Sequence, residues 1–247
     1  MAALANQRQE CGNSCRVTLD GGMTQLNRKA FGGLFAVLVA MAALLFLPAR
    51  TLDFWQAWAF LAVFGVCSLS ITLYLMKKDP KLLERRVRGG PTAEKERTEK
   101  IIQSITSLGF AAMLVVAALD HRFHWSEVPF SASVAGDMVL AIGFLIVFFV
   151  YKENTFASAT IEIAPGQHVI STGLYAVVRH PMYGGGVFWF VGMSLGLGSW
   201  WGFFVFALIF PALRWRILDE EKLLTKNLPG YAAYCQKVRY RLLPFIW

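Results

Sequence analysis

Four long runs of apolar residues, nearly free of charge, fix the solvent in which this chain folds. Residues 31–49 and 54–76 contain no Asp, Glu, Lys or Arg, and Pro48 to Asp53 make the turn between them. Residues 101–119 form a third such run, and 134–151 a fourth with one acid, Asp137. A hydrocarbon core of about 30 Å needs roughly 20 apolar residues as helix, so each run is a candidate span. A fifth apolar region, 181–213, would reach roughly 50 Å as a single helix. Its middle reads GLGSWWG, from Gly196 to Gly202. That break predicts two short helices in a hairpin, fully crossing or re-entrant, with Trp200 and Trp201 at the far interface. Composition points the same way: 56% of residues are hydrophobic and 16% charged, against about 25% charged in soluble domains. Disorder, collagen and coiled coil are excluded. The expected fold is all-α, a polytopic integral membrane bundle of five to six helices.

Lysine and arginine set the orientation. Residues 1–30 carry four, loop 77–100 nine, 152–180 two and 214–247 seven, whereas 48–53 and 120–133 hold only Arg50 and Arg122. The positive-inside rule places both termini in the cytoplasm, in an inner membrane if bacterial or endoplasmic reticulum if eukaryotic. The net charge of +8 is therefore a topology signal, and nucleic acid is not an expected partner. Three segments follow: a flexible extension over 1–28, four spans over 29–153 with the basic loop 77–100, and a module over 154–247. The extension lacks a signal-peptide core, and Met23 reads as a natural start. Five acids accompany the nine basic residues of loop 77–100, which reads as a solvated linker, with lipid headgroup contact as the alternative.

The first four spans offer little chemistry. No charge sits mid-membrane, which weakens an ion pump. Four histidines are too few for a membrane di-iron hydroxylase. His121 and His124 are spaced H-x-x-H without Glu or Cys partners. Cys11, Cys15, Cys67 and Cys235 form no C-x-x-C pair and imply neither disulfide nor zinc, so no metal is expected. Phosphate-binding glycine loops are missing. Gly184 to Gly186 suit either close helix packing or close approach of a ligand. The informative block is 166–186, where Arg179, His180 and Tyr183 crowd a proline turn. Thirty residues on, Arg216 and Glu220 share a helical face, and Glu221 lies about 100° round it.

Together these residues resemble the C-terminal module of the isoprenylcysteine carboxyl methyltransferase family. The carriers are Gly173, Tyr175, Arg179, His180, Pro181, Tyr183 and Gly185, then Arg216, Glu220, Glu221, Tyr231, Tyr234 and Pro244. The likeness covers about a third of the chain. It implies S-adenosylmethionine bound without a Rossmann fold at the cytoplasmic mouth. Gln167, His168, Val169, Ile170, Gly173, Tyr175, His180, Pro181 and Tyr183 match cofactor-contacting positions. Glu220 matches the acid that holds the cofactor's polar part, with Glu221 beside it in the same pocket. Arg216 matches the basic group near the transferred methyl, where its forked donors would hold a substrate carboxylate. Carboxylates are ionised at neutral pH, so such an acceptor needs no base.

The expected substrate is an isoprenylcysteine or a similar lipophilic, prenylated molecule. An amine or thiol acceptor, including phospholipid amines, is the alternative on this scaffold, with Glu220, Glu221 or Tyr183 to deprotonate it. Membrane sterol reductases share the layout but use a nicotinamide cofactor. Their pattern has an asparagine before the motif tyrosine and a later Arg-Asp; here Met182 and Asp219-Glu220-Glu221 stand in those places.

Overall fold

The computed structural model describes the backbone of residues 2–247 except Pro91, Lys95 and Ile246, and the side chains of these residues from Thr24 onward. All regular structure among them is helical: α1 (Ala2–Ala49), α2 (Trp55–Lys78), α3 (Pro80–Val87), α4 (Arg97–Phe123), α5 (Phe130–Glu153), α6 (Pro181–Gly196), α7 (Trp201–Asn227) and α8 (Tyr231–Lys237), with one 3-10 turn at Gly173–Ala176. Five are long and apolar enough to cross a membrane: α1 from Thr24, α2, α4, α5 and α7. The protein is an integral membrane bundle. The expected flexible extension, 1–28, falls from Ala2 on within α1 (Ala2–Ala49), and its side chains before Thr24 lie outside those described.

Helix α6 has only 16 residues, roughly 24 Å of rise, short of a standard crossing. Its far end nevertheless reaches the end of the bundle. Ser199 Oγ donates to Asp120 Oδ2 at 2.5 Å, and the Trp200 amide donates to Ser126 Oγ at 3.3 Å. Gly198 lies against Gln56 at the start of α2. The hairpin tip is thus level with the α1–α2 turn and the α4–α5 loop. Ala30, Leu82, Leu83, Tyr151 and Ala157 cluster at the opposite end, where α8 also docks through Tyr234 Oη donating to the Tyr175 carbonyl at 2.7 Å.

Glycines let α6 lie directly on the backbone of α5. A Cβ on Gly192 would stand 2.5 Å from the Leu140 nitrogen, and one on Gly136 2.2 Å from the Gly196 nitrogen. Gly136 and Gly143, like Gly185 and Gly192, are two turns apart and so share a face. Small residues at such a seam allow the close approach that holds membrane helices together. The glycine triplet divides between its two readings. Gly185 packs on Val147 and the Gly143 carbonyl, whereas a Cβ on Gly186 would meet nothing within 4 Å.

Loop 77–100 departs from the solvated linker expected of it. Asp79 caps α3, accepting from the Leu82 amide at 3.0 Å, and Pro80 occupies the first turn, where its missing N–H is harmless. Leu82 and Leu83 are buried. Glu94 and Glu99 are each only 3% exposed. Charge composition alone hid this, because Lys77, Lys78, Lys81, Arg88, Arg97 and Lys100 are exposed whereas two of the loop's acids face in.

Candidate active site

A cavity of about 510 Å³ opens at the end of the bundle that carries α3, the 154–180 connection and α8. Its mouth is formed by Ser158 to Glu162, Gln167 to Ile170, and Tyr175, Tyr231 and Tyr234. Its depth is walled by Phe64 of α2, Phe110 of α4, Val147 of α5, and Trp189 and Phe190 of α6. A polar vestibule therefore continues into an apolar arm among membrane helices.

Nine of the residues to which the resemblance gives a cofactor or catalytic role line this space: Gln167, His168, Val169, Ile170, Tyr175, His180, Tyr183, Arg216 and Glu220. Three expected contacts lie behind the wall. Gly173 opens the 3-10 turn at φ 55°, a left-handed conformation, with the Glu153 carboxyl against it. Pro181 is the buried first residue of α6. Glu221 faces another network. The 164–170 strip is closed on itself: the Gln167 amide donates to the Ala164 carbonyl at 3.0 Å, and Gln167 Oε1 accepts from the Ala164 amide at 2.9 Å.

At the cavity floor Arg216 and Glu220 are joined through Tyr183 instead of directly. Arg216 Nε donates to Tyr183 Oη at 3.1 Å, and Tyr183 Oη donates to Glu220 Oε2 at 2.7 Å. The rest of the guanidinium is committed to the α3–α4 loop. Nη1 donates to Glu99 Oε2 at 2.7 Å and Nη2 to Glu94 Oε1 at 2.8 Å. Glu94 also accepts the Ile161 amide at 3.2 Å, which pins the 158–162 wall. The forked donors expected to hold a substrate carboxylate are thus occupied by the chain's own acids. Glu220 keeps Oε1 without a protein partner among the described residues.

Glu221 is the more heavily paired acid. It receives His180 Nε2 at 3.3 Å, Arg179 Nη1 at 3.1 Å and Arg241 Nε at 2.9 Å. Residues 179–180 run alongside the C-terminal segment, with the Arg179 and His180 amides donating to the Tyr240 and Arg241 carbonyls, each at 2.9 Å. His180 stands between the two acids, its Nδ1 4.0 Å from Glu220 Oε2. The resemblance implied a place for Glu221 in the cofactor pocket; its three partners make it instead the anchor of the tail.

Burial pushes the phenols of Tyr175, Tyr231 and Tyr234 above their ordinary range. They present neutral aromatic faces at physiological pH. Among the described residues Tyr231 Oη is buried without a partner, on the wall of the cavity. An open carboxylate oxygen, electron-rich ring faces and an unused hydroxyl fit a ligand that carries a sulfonium and an amino-acid end. Four contributors to the site went unread in the sequence: Glu94, Glu99, Arg86 and Asn154, whose Nδ2 donates to Tyr175 Oη at 2.9 Å. The available signal for the two acids was the presence of five acids among the nine basic residues of loop 77–100; nothing comparable marked Arg86 or Asn154.

Comparisons with known proteins bear on the same region. Delta(14)-sterol reductase TM7SF2 of Mus musculus is 33% identical over 92 residues, covering 36% of this chain and 22% of that protein. The nickel-cobalt-cadmium resistance protein NccN of Alcaligenes xylosoxydans xylosoxydans is 26% identical over 134 residues, covering 51% of this chain and 57% of that protein. The chain therefore spans less than two thirds of the length of either relative. Residues 131–230, from α5 to the start of α8 and including His180, Tyr183, Arg216, Glu220 and Glu221, match the phospholipid methyltransferase family, in agreement with the resemblance to isoprenylcysteine carboxyl methyltransferases.

Proposed function

We propose that this protein is an S-adenosylmethionine-dependent methyltransferase acting on lipophilic acceptors, of which an isoprenylcysteine-type carboxylate is the preferred class. The observation that carries this reading is the continuity of the cavity: a carboxylate-and-aromatic vestibule opens into an apolar arm between α2, α4, α5 and α6. Such an arm suits an acyl or prenyl chain, and a concave site with few polar groups is the usual form of a small-molecule pocket. The orientation with the vestibule on the cytoplasmic face belongs to this proposal and rests on the distribution of Lys and Arg.

When bound, the cofactor supplies an electrophilic methyl on a sulfonium, and passing it to a carboxylate oxygen leaves a neutral thioether with no proton moved. Glu220 holds the cationic, amino-acid end through its open oxygen. Tyr175, Tyr234 and His168 flank it with aromatic faces. Arg216 orients Tyr183, and Tyr183 in turn orients Glu220. The relay acts by fixing geometry, which is the main requirement of an in-line transfer.

A nicotinamide-dependent reductase is the second reading, favoured by the 33% identity to the sterol reductase. Calorimetry on the detergent-purified protein separates the two. S-adenosylmethionine and its demethylated product should bind and NADPH should not; a heat of binding with NADPH alone contradicts the proposal.

A further inference from the structure

We propose that Arg86 is the anion anchor of the cavity, binding the carboxylate of a ligand seated there, with Arg216 acting only from behind Tyr183. This rests on the reading of the cavity as a methyl-transfer site. Three guanidinium groups line it: Arg86, Arg179 and Arg216. Arg179 is paired with Glu221 at 3.1 Å, and Arg216 is paired with Glu94 and Glu99. No carboxylate is paired with Arg86 among the described residues.

Arg86 is nonetheless held in place. Its Nη1 donates to the Ser158 carbonyl at 2.9 Å and lies 3.9 Å from Met182 Sδ. Its Cζ sits 5.2 Å from the centroid of the Tyr151 ring. Ser158, Met182 and Tyr151 all line the cavity as well. Nε and Nη2 donate to no protein group among the described residues, and together they form the side-on edge that grips a carboxylate by two parallel bonds. A guanidinium steadied on a ring and one carbonyl, with that edge unused, is preorganised for an oxyanion. Because Arg216 is already neutralised, a carboxylate entering the cavity meets its uncompensated cation at Arg86.

The carboxylate has two sources, the acceptor or the amino-acid end of the methyl donor. Binding to detergent-purified wild type, Arg86→Gln and Arg86→Lys tells them apart. The probes are S-adenosylmethionine with its decarboxylated analogue, and oleate with oleamide. Arg86→Gln should weaken the carboxylate-bearing probe at least about tenfold, as expected for losing a charged hydrogen-bond partner, and leave the counterpart that lacks the carboxylate unchanged. Arg86→Lys should restore affinity in part, since an ammonium lacks the fork. Loss confined to S-adenosylmethionine assigns the donor's carboxylate; loss confined to oleate assigns the acceptor's. Equal affinities of Arg86→Gln and wild type for all four probes overturn the proposal. If Arg86→Gln fails to fold, wild type alone decides, because binding each carboxylate no better than its counterpart overturns it equally. Failure of wild type to bind S-adenosylmethionine defeats the methyltransferase reading instead, and the oleate and oleamide pair still tests Arg86.

Discussion

Arg216→Ala should destabilise the protein by about 3–5 kcal/mol and abolish ligand binding, because removing one partner of a buried ion pair strands the other. Here two carboxylates would be stranded, Glu94 and Glu99, at 2.8 Å and 2.7 Å from the guanidinium and each 3% exposed. Tyr183 would lose its donor at the same time. A second variant separates stability from function. Combining Arg216→Met with Glu94→Gln and Glu99→Gln removes the stranded charges and should recover most of the lost melting temperature. Turnover should stay low, since nothing then orients Tyr183 toward Glu220. Thermal melting and methyl transfer, measured on both proteins, check this; wild-type stability for Arg216→Ala would mean that the ion-paired cluster is not formed.

Glu221→Ala should have an effect of similar size in a different place. Its carboxylate is the meeting point of His180, Arg179 and Arg241, and its loss leaves cationic groups from two segments facing one another. We expect about 3–5 kcal/mol of destabilisation, concentrated where residues 239–241 dock on 179–180. Limited proteolysis should cut the tail after α8 in the variant while the wild type resists. Glu220→Gln, which leaves that network intact, should keep the tail protected. Equal protection of the Glu221→Ala tail would show that the backbone bonds at Tyr240 and Arg241 suffice to hold it.

The contrast between these acids shows how far the sequence could be read. The spans and the hairpin break at Gly196 to Gly202 follow from patterns within a few turns of chain, whereas the grouping of His180 and Tyr183 with Arg216 and Glu220 was implied by the family resemblance. Hydrophobic runs and helical spacing are local, so they survive without a structure. The partners of Arg216 lie 117 and 122 residues away, in a loop whose solvated appearance came from counting charges without knowing which faced inward. Helical spacing set Glu221 about 100° from Glu220, against the place in the same pocket that the resemblance implied, but spacing carries no information about the tail that folds back to meet it. The glycine triplet needed coordinates because its members differ only in what stands opposite each one.

Transfer of a labelled methyl group from S-adenosylmethionine into the lipid-extractable fraction tests the central claim most directly. The protein should be reconstituted with its native membrane lipids and compared with Glu220→Gln. The account predicts label in an apolar product with wild type and strongly reduced incorporation with Glu220→Gln, accompanied by cofactor affinity lower by about 1–3 kcal/mol for the lost charged partner. Equal incorporation by both proteins, or oxidation of NADPH without any methyl transfer, would contradict it.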